Sequence, residues 1–192
     1  MEKIIQRIKN ILLSPKTEWT VIEGENAPHA KVTMGYLLVL ALIPAVAALI
    51  GWGFVVRYSS FGFGIMHALT QFITMIGGAY LTAFVIDMLA PNFGSQKNFN
   101  KAFELVAYAY TPALVGGIFY IVPALSFLAS LASIYSLVLL YMGLAPMMKT
   151  PDDKKTSYFI VSLLVMVAAF ILLGIVLGAI LGAIFVGAAY RF

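Results

Sequence analysis

Two histidines, His29 and His67, and two carboxylates, Asp87 and Glu104, fall within or at the edge of the long apolar stretches of this chain. Imidazoles and carboxylates build metal sites, general acid–base pairs and ion gates. At membrane depth such groups are functional candidates by default. Spacing narrows the choice. His67 and Asp87 stand at opposite ends of one stretch, 20 residues apart, which is about 30 Å along a helix. They share no metal ion or proton within one chain. Asp87 and Glu104 sit at the same end of successive antiparallel stretches, with Lys97 and Lys101 in reach. One reading is an ion-pair cluster that fixes the loop, with Lys101 and Glu104 paired at i, i+3. The other is a polar gate or ion entry point. His67, Gln71 and Thr74 share a helix face at i, i+4, i+7, with Thr70 beside it. That face is expected to point into a helix bundle, either for hydrogen bonds between helices or for a transport path.

Other chemistry is missing. The sequence has no G-x-S-x-G, H-E-x-x-H, G-x-x-x-x-G-K-[ST] or G-x-G-x-x-G. Gly62 and Gly64 give only a G-x-G fragment, placed in a short loop. Asp152-Asp153 precedes Lys154-Lys155 and reads as a solvated loop rather than a cation site. With no cysteine, disulfides, thiolate metal sites, a Cys nucleophile and S-palmitoylation are excluded. No catalytic residue, metal or cofactor is expected, and the chain is not read as an enzyme.

The elements that must position these residues are membrane spans. The chain is 62% hydrophobic and 10% charged, against roughly 25% charged in soluble domains. Five stretches exceed the ~20 residues a spanning helix needs: about 32–56, 65–90, 102–122, 124–148 and 158–189. Pro123 makes a tight turn that sets the third and fourth spans side by side and antiparallel. Ten of the 12 Lys and Arg residues lie before the first span, between the second and third, or between the fourth and fifth; only Arg57 and Arg191 do not. Cytoplasmic loops retain Lys and Arg. The expected topology is therefore N-terminus cytoplasmic, five crossings and C-terminus outside. The net charge of +4 sits at the ends of spans, so the expected anionic partner is lipid headgroups at the inner leaflet, not nucleic acid.

Residues 1–31 form a separate leading segment, with 32–192 as the five-span domain. Nothing in residues 1–31 reads as a cleavable signal peptide. Ile4, Ile5, Ile8, Ile11 and Leu12 line one face of a short basic amphipathic helix, with Lys3, Arg7 and Lys9 on the rest. Ser14-Pro15 ends it and starts a second helix carrying Trp19, an interfacial residue type. Lys3, Arg7, Lys9 and Trp19 are expected at the lipid surface; packing of both helices on the ends of the bundle is compatible with that. In the fifth span Gly174, Gly178 and Gly182 form a stripe that allows close helix approach, within the chain or in a homo-oligomer.

The segments ELVAYAYTPALVGG (Glu104 to Gly117) and SIYSLVLLYMGLAPMM (Ser133 to Met148) resemble the Yip family of small polytopic membrane proteins. The opening RIKNILLSPKTEW (Arg7 to Trp19) is similar to the start of prokaryotic members. The resemblance implies five spans with a cytosolic N-terminus, in agreement with the charge count. It implies no catalytic residues. Eukaryotic relatives act in vesicle trafficking and associate with prenylated Rab-type GTPases, partly through a longer N-terminal region. With 31 residues before the first span, that partner is not carried over. The compact N-terminus points to a bacterial or archaeal member in the plasma membrane. The expected function is membrane organisation, or partner or lipid interaction within the bilayer. The alternative is a small ion channel or transporter, with a path near His67, Gln71 and Thr74 and a gate at Asp87 and Glu104.

Overall fold

The computed structural model describes residues 2–57 and 60–189, the last helix by its backbone alone beyond residue 172. Two short helices lead, α1 (Glu2–Leu13) and α2 (Pro15–Gly24). Five helical segments long and apolar enough to cross a membrane follow: His29–Val55, Phe61–Phe93, Phe99–Ile121, Pro123–Met148 and Asp152–Leu172. The fifth belongs to a helix that runs to Ala189. Spans alternate in direction, so α1, α2 and the links between spans two and three and spans four and five share one end of the bundle. This charged end holds the site described below.

Several boundaries lie earlier than hydropathy places them. The second span begins at Phe61 because the Ser60 hydroxyl accepts a bond from the Phe63 N–H at 3.2 Å, a side-chain N-cap. Gly62 and Gly64 are thus helical, not loop. At Gly64 a Cβ would lie 2.7 Å from the Gly53 Cα, so the first two spans meet backbone to backbone there. The fifth helix begins at Asp152. Asp152 and Asp153 form its first turn, where carboxylates complement the helix dipole; they are exposed as expected, but in a helix start rather than a loop.

The third span is the centre of the bundle. Of its most apolar window 72% is buried, against 17% in the fifth span. It is broken at Pro112. Proline has no N–H for the carbonyl four residues back, and that carbonyl belongs to Tyr108. The Thr111 hydroxyl donates to it instead, at 2.6 Å. The helix then tightens into a 3-10 turn over Gly117–Ile121. Spans three and four pack as adjacent antiparallel helices across the short turn at Val122.

α1 and α2 share the bundle's hydrophobic core. Ile11, Trp19 and Ile22 are fully buried in one cluster with Phe103, Leu105 and Leu144. The outer faces of the spans carry exposed large apolar side chains, among them Leu42, Val46, Leu69, Ile73, Leu131 and Leu164. That is the surface a helix bundle presents to lipid tails.

Candidate functional site

The charged end is built around two ion-paired groups, both involving the helices that precede the first span. Arg7 on α1 reaches across to Glu18 on α2 and to Glu25 just after it, one nitrogen to each carboxylate. Asn10 donates to the second oxygen of Glu18 at 2.9 Å. The Arg7 guanidinium also lies over the Tyr108 ring, 5.2 Å from its centroid, a cation–π distance. Burial disfavours the guanidinium charge. The hydrogen bond and charge of Glu25, with the charge of Glu18, outweigh it and hold the Arg7 pKa above its ordinary value.

The second group centres on Glu104, which is fully buried. One oxygen accepts a bond from the Ala27 N–H at 3.1 Å. The other lies 3.0 Å from Lys101 Nζ, close enough for an ion pair but not aligned as a hydrogen bond. Lys101 Nζ donates to the carbonyls of Glu23, at 2.9 Å, and Glu25. These carbonyls close the C-terminal end of α2, where a cation is favoured. The i, i+3 pairing expected from the sequence is therefore present, and it is extended to the leading helices. Lys149, in the left-handed conformation with φ 53°, pairs with Glu23.

Asp87 does not join this arrangement. No described hydrogen bond or ion pair links it to Glu104. It is buried near Tyr158, whose hydroxyl donates to the Ile86 carbonyl at 2.5 Å. The Asp87 Oδ1 has no hydrogen-bond partner among the described residues. Lys97 is exposed. His29 sits at the start of the first span, its Nδ1 2.8 Å from Asn100 Oδ1.

At the far end, His67 stacks on Trp52 with centroids 4.6 Å apart and meets the edge of Phe63. His67 and Gln71 are half-buried, while Thr74 is exposed. Thr70 turns its hydroxyl back to the Met66 carbonyl at 2.8 Å. The expectation that this face points into the bundle is corrected for Thr74: within one chain it lies on the outer surface. The reason is depth: the same face is buried one and two turns on, at Gly78 and Thr82, where Phe170 and Tyr110 lie against it, but no residue of this helix is buried between Gly64 and Gly78.

Two residues expected at the lipid surface are turned inward. Arg7 is bound as described above. Trp19 is 1% exposed and lies against Gly143, where a Cβ would meet its ring at 2.8 Å and Leu105 Cδ1 at 2.4 Å. Lys3 and Lys9 are exposed. Gly174, Gly178 and Gly182 lie beyond residue 172, outside the residues whose surroundings are described.

The sequence reading missed Glu18, Glu25, Tyr36, Tyr108 and Thr111. The last two were visible in the A-Y-x-x-T-P run at Ala107 to Pro112. Their chemistry follows from Pro112, which frees the carbonyl that Thr111 satisfies. Tyr36 then bonds Thr111 at 2.7 Å and meets the Tyr108 ring at 4.8 Å. Among the described residues no group of three or more His, Cys, Asp or Glu is placed to hold a metal ion.

No curated protein and no solved structure matched the chain. A family model, the Yip1 domain, matches residues 9–175. That range runs from the last turn of α1 through the fifth span and contains the Tyr108–Pro112 junction, the Lys101–Glu104 group and both carboxylates that hold Arg7, while Arg7 itself lies just before it. With five helices fit to cross a membrane, this multi-pass membrane protein belongs to the Yip1 domain family.

Proposed function

We propose that this protein is a non-enzymatic organiser of the plasma membrane, acting through contacts of its surface with lipids and partner proteins. The observation that carries this reading is how the interior hydroxyls are used. Tyr36 bonds Thr111, Thr33 bonds Tyr80 at 2.8 Å, and Thr82 bonds Tyr110 at 2.9 Å. Ser136 accepts from the Ala113 N–H at 3.1 Å. Each bond ties one span to another, worth roughly 1 kcal/mol in a membrane. These groups hold the bundle together, which leaves its surfaces as the place of action.

The charged end supports contact with an anionic lipid surface. Lys3, Lys9 and Lys16 are exposed there, beside the exposed apolar side chains of Ile5, Leu13 and Val21. A helix with such a surface suits a headgroup layer. The placement of Lys and Arg supports a cytoplasmic charged end. Self-association through the fifth helix is one form the partner contact takes.

The test is photo-crosslinking in native membranes, with the cross-linker at Leu13 or Val21. Adducts with lipid or with one discrete protein are expected. No adduct from either position, together with ion conduction by the reconstituted protein, would replace this reading with a channel or transporter.

A further inference from the structure

A cleft of about 450 Å³ opens at the charged end between α1, the connector at Glu25–Pro28 and the start of the first span. Its walls carry three cations, and they are not equivalent. Arg7 is engaged by Glu18 and Glu25 and lies over Tyr108. Lys3 and Lys31 form no hydrogen bond or ion pair with a described residue, and both are exposed. Two unpaired ammonium groups therefore flank the mouth, while the single lining carboxylate, Glu25, is held by Arg7.

Apart from Asn26 in the connector, the rest of the lining is apolar or aromatic, and part of it follows the first span toward the membrane: Val32, Gly35 and Tyr36, with Tyr108 behind. Gly35 is informative. A Cβ built on it would meet nothing within 4 Å, unlike Gly64 or Gly143, which are pressed against neighbours. Its open side faces unfilled space. It also sits in a π-helical stretch, Thr33–Leu37, a backbone form concentrated at functional sites.

The geometry points to an anionic phospholipid as the occupant of this cleft, its phosphate between Lys3 and Lys31 and an acyl chain along Gly35. The assignment rests on the proposed membrane-organising role and names the ligand of its charged end. Charge complementarity identifies the headgroup, and the slot's position at the start of a span identifies a chain that continues into the bilayer. Arg7 acts by holding α1 in place as one wall.

The experiment is native mass spectrometry of the full chain in detergent, titrated with dioleoyl phosphatidylglycerol, dioleoyl phosphatidylcholine or inorganic phosphate. The expected order is phosphatidylglycerol well ahead of phosphatidylcholine, with inorganic phosphate unable to displace the lipid. Lys3→Gln/Lys31→Gln should weaken phosphatidylglycerol about 25-fold, about fivefold for each lysine. Lys97→Gln, at the same charged end but outside the cleft, should leave binding unchanged. Gly35→Phe, which fills the slot, should weaken both lipids at least tenfold. The two lysines are exposed, so their replacement carries the test even if Gly35→Phe fails to express. An equal loss per lysine from Lys97→Gln and from the lysine pair, with none from Gly35→Phe, would overturn the site and leave general attraction to an anionic surface standing. Displacement of the lipid by inorganic phosphate would overturn the acyl slot.

Discussion

Arg7→Ala should release α1 and α2 from the bundle, and the size of the effect follows from burial. The Arg7 side chain is 16% exposed and the Glu18 side chain 8%. Removing one partner of a buried pair costs about 3–5 kcal/mol, because the other charge is left in a poorly solvated place. The Glu25 side chain is 40% exposed, so losing its pairing adds at most a few tenths of a kcal/mol. The lower figure, about 3 kcal/mol, is appropriate since Asn10 still donates to Glu18. Local opening of α1 should then rise about 150-fold, at tenfold per 1.4 kcal/mol. Hydrogen exchange of the α1 amides in detergent reads that opening directly. Arg7→Ala/Glu18→Gln should recover most of the loss, because no orphaned charge remains. Unchanged exchange in Arg7→Ala, or no recovery in the double variant, would refute the view that this ion pair locks the leading helices.

Gly143→Ala should lower stability by about 1–3 kcal/mol through overpacking against Trp19 and Leu105. Combining it with Trp19→Phe should cost less than the sum of the two, measured by thermal unfolding in detergent; strict additivity would mean that the two residues do not press on one another. Thr74→Val should change stability by less than about 0.5 kcal/mol, since the side chain is exposed, whereas Thr111→Val should cost about 1–3 kcal/mol by leaving the Tyr108 carbonyl and Tyr36 hydroxyl without their partner. The natural chain has no cysteine, so single cysteines report topology cleanly: one at Lys97 or Lys154 should react with a membrane-impermeant maleimide only after the inner face is opened, and one at Phe61 should react from outside. The reverse pattern would invert the proposed orientation.

Span number and the antiparallel pairing of spans three and four were legible because both depend on hydropathy and loop length, which are local in sequence. The Lys101–Glu104 pair was legible for the same reason, as three residues along a helix fix the geometry. What sequence did not reveal depends on contacts between distant segments. Arg7 resembles any cation of an amphipathic helix until Glu18 and Glu25 are folded back beside it. Trp19 has the side chain of an interfacial anchor, and only the bare backbone of Gly143, more than 120 positions on, makes room to bury it. Asp87 and Glu104 share an end of the bundle, but they attach to different neighbours, which span topology alone does not distinguish. For His67, Gln71 and Thr74 helical periodicity gave the shared face but not its direction. That face is covered only further along the helix, at Gly78 and Thr82, where Phe170 and Tyr110 pack on it.

A bundle whose polar interior serves packing, and which acts through its surface, conducts no ions. The most direct test is ion flux across liposomes containing the purified protein, measured over a range of pH for wild type and for Asp87→Asn/Glu104→Gln. No flux above empty liposomes is expected for common cations, anions or protons, and none for the variant. Flux through the wild type that the double substitution abolishes would contradict it and establish a carboxylate-gated path.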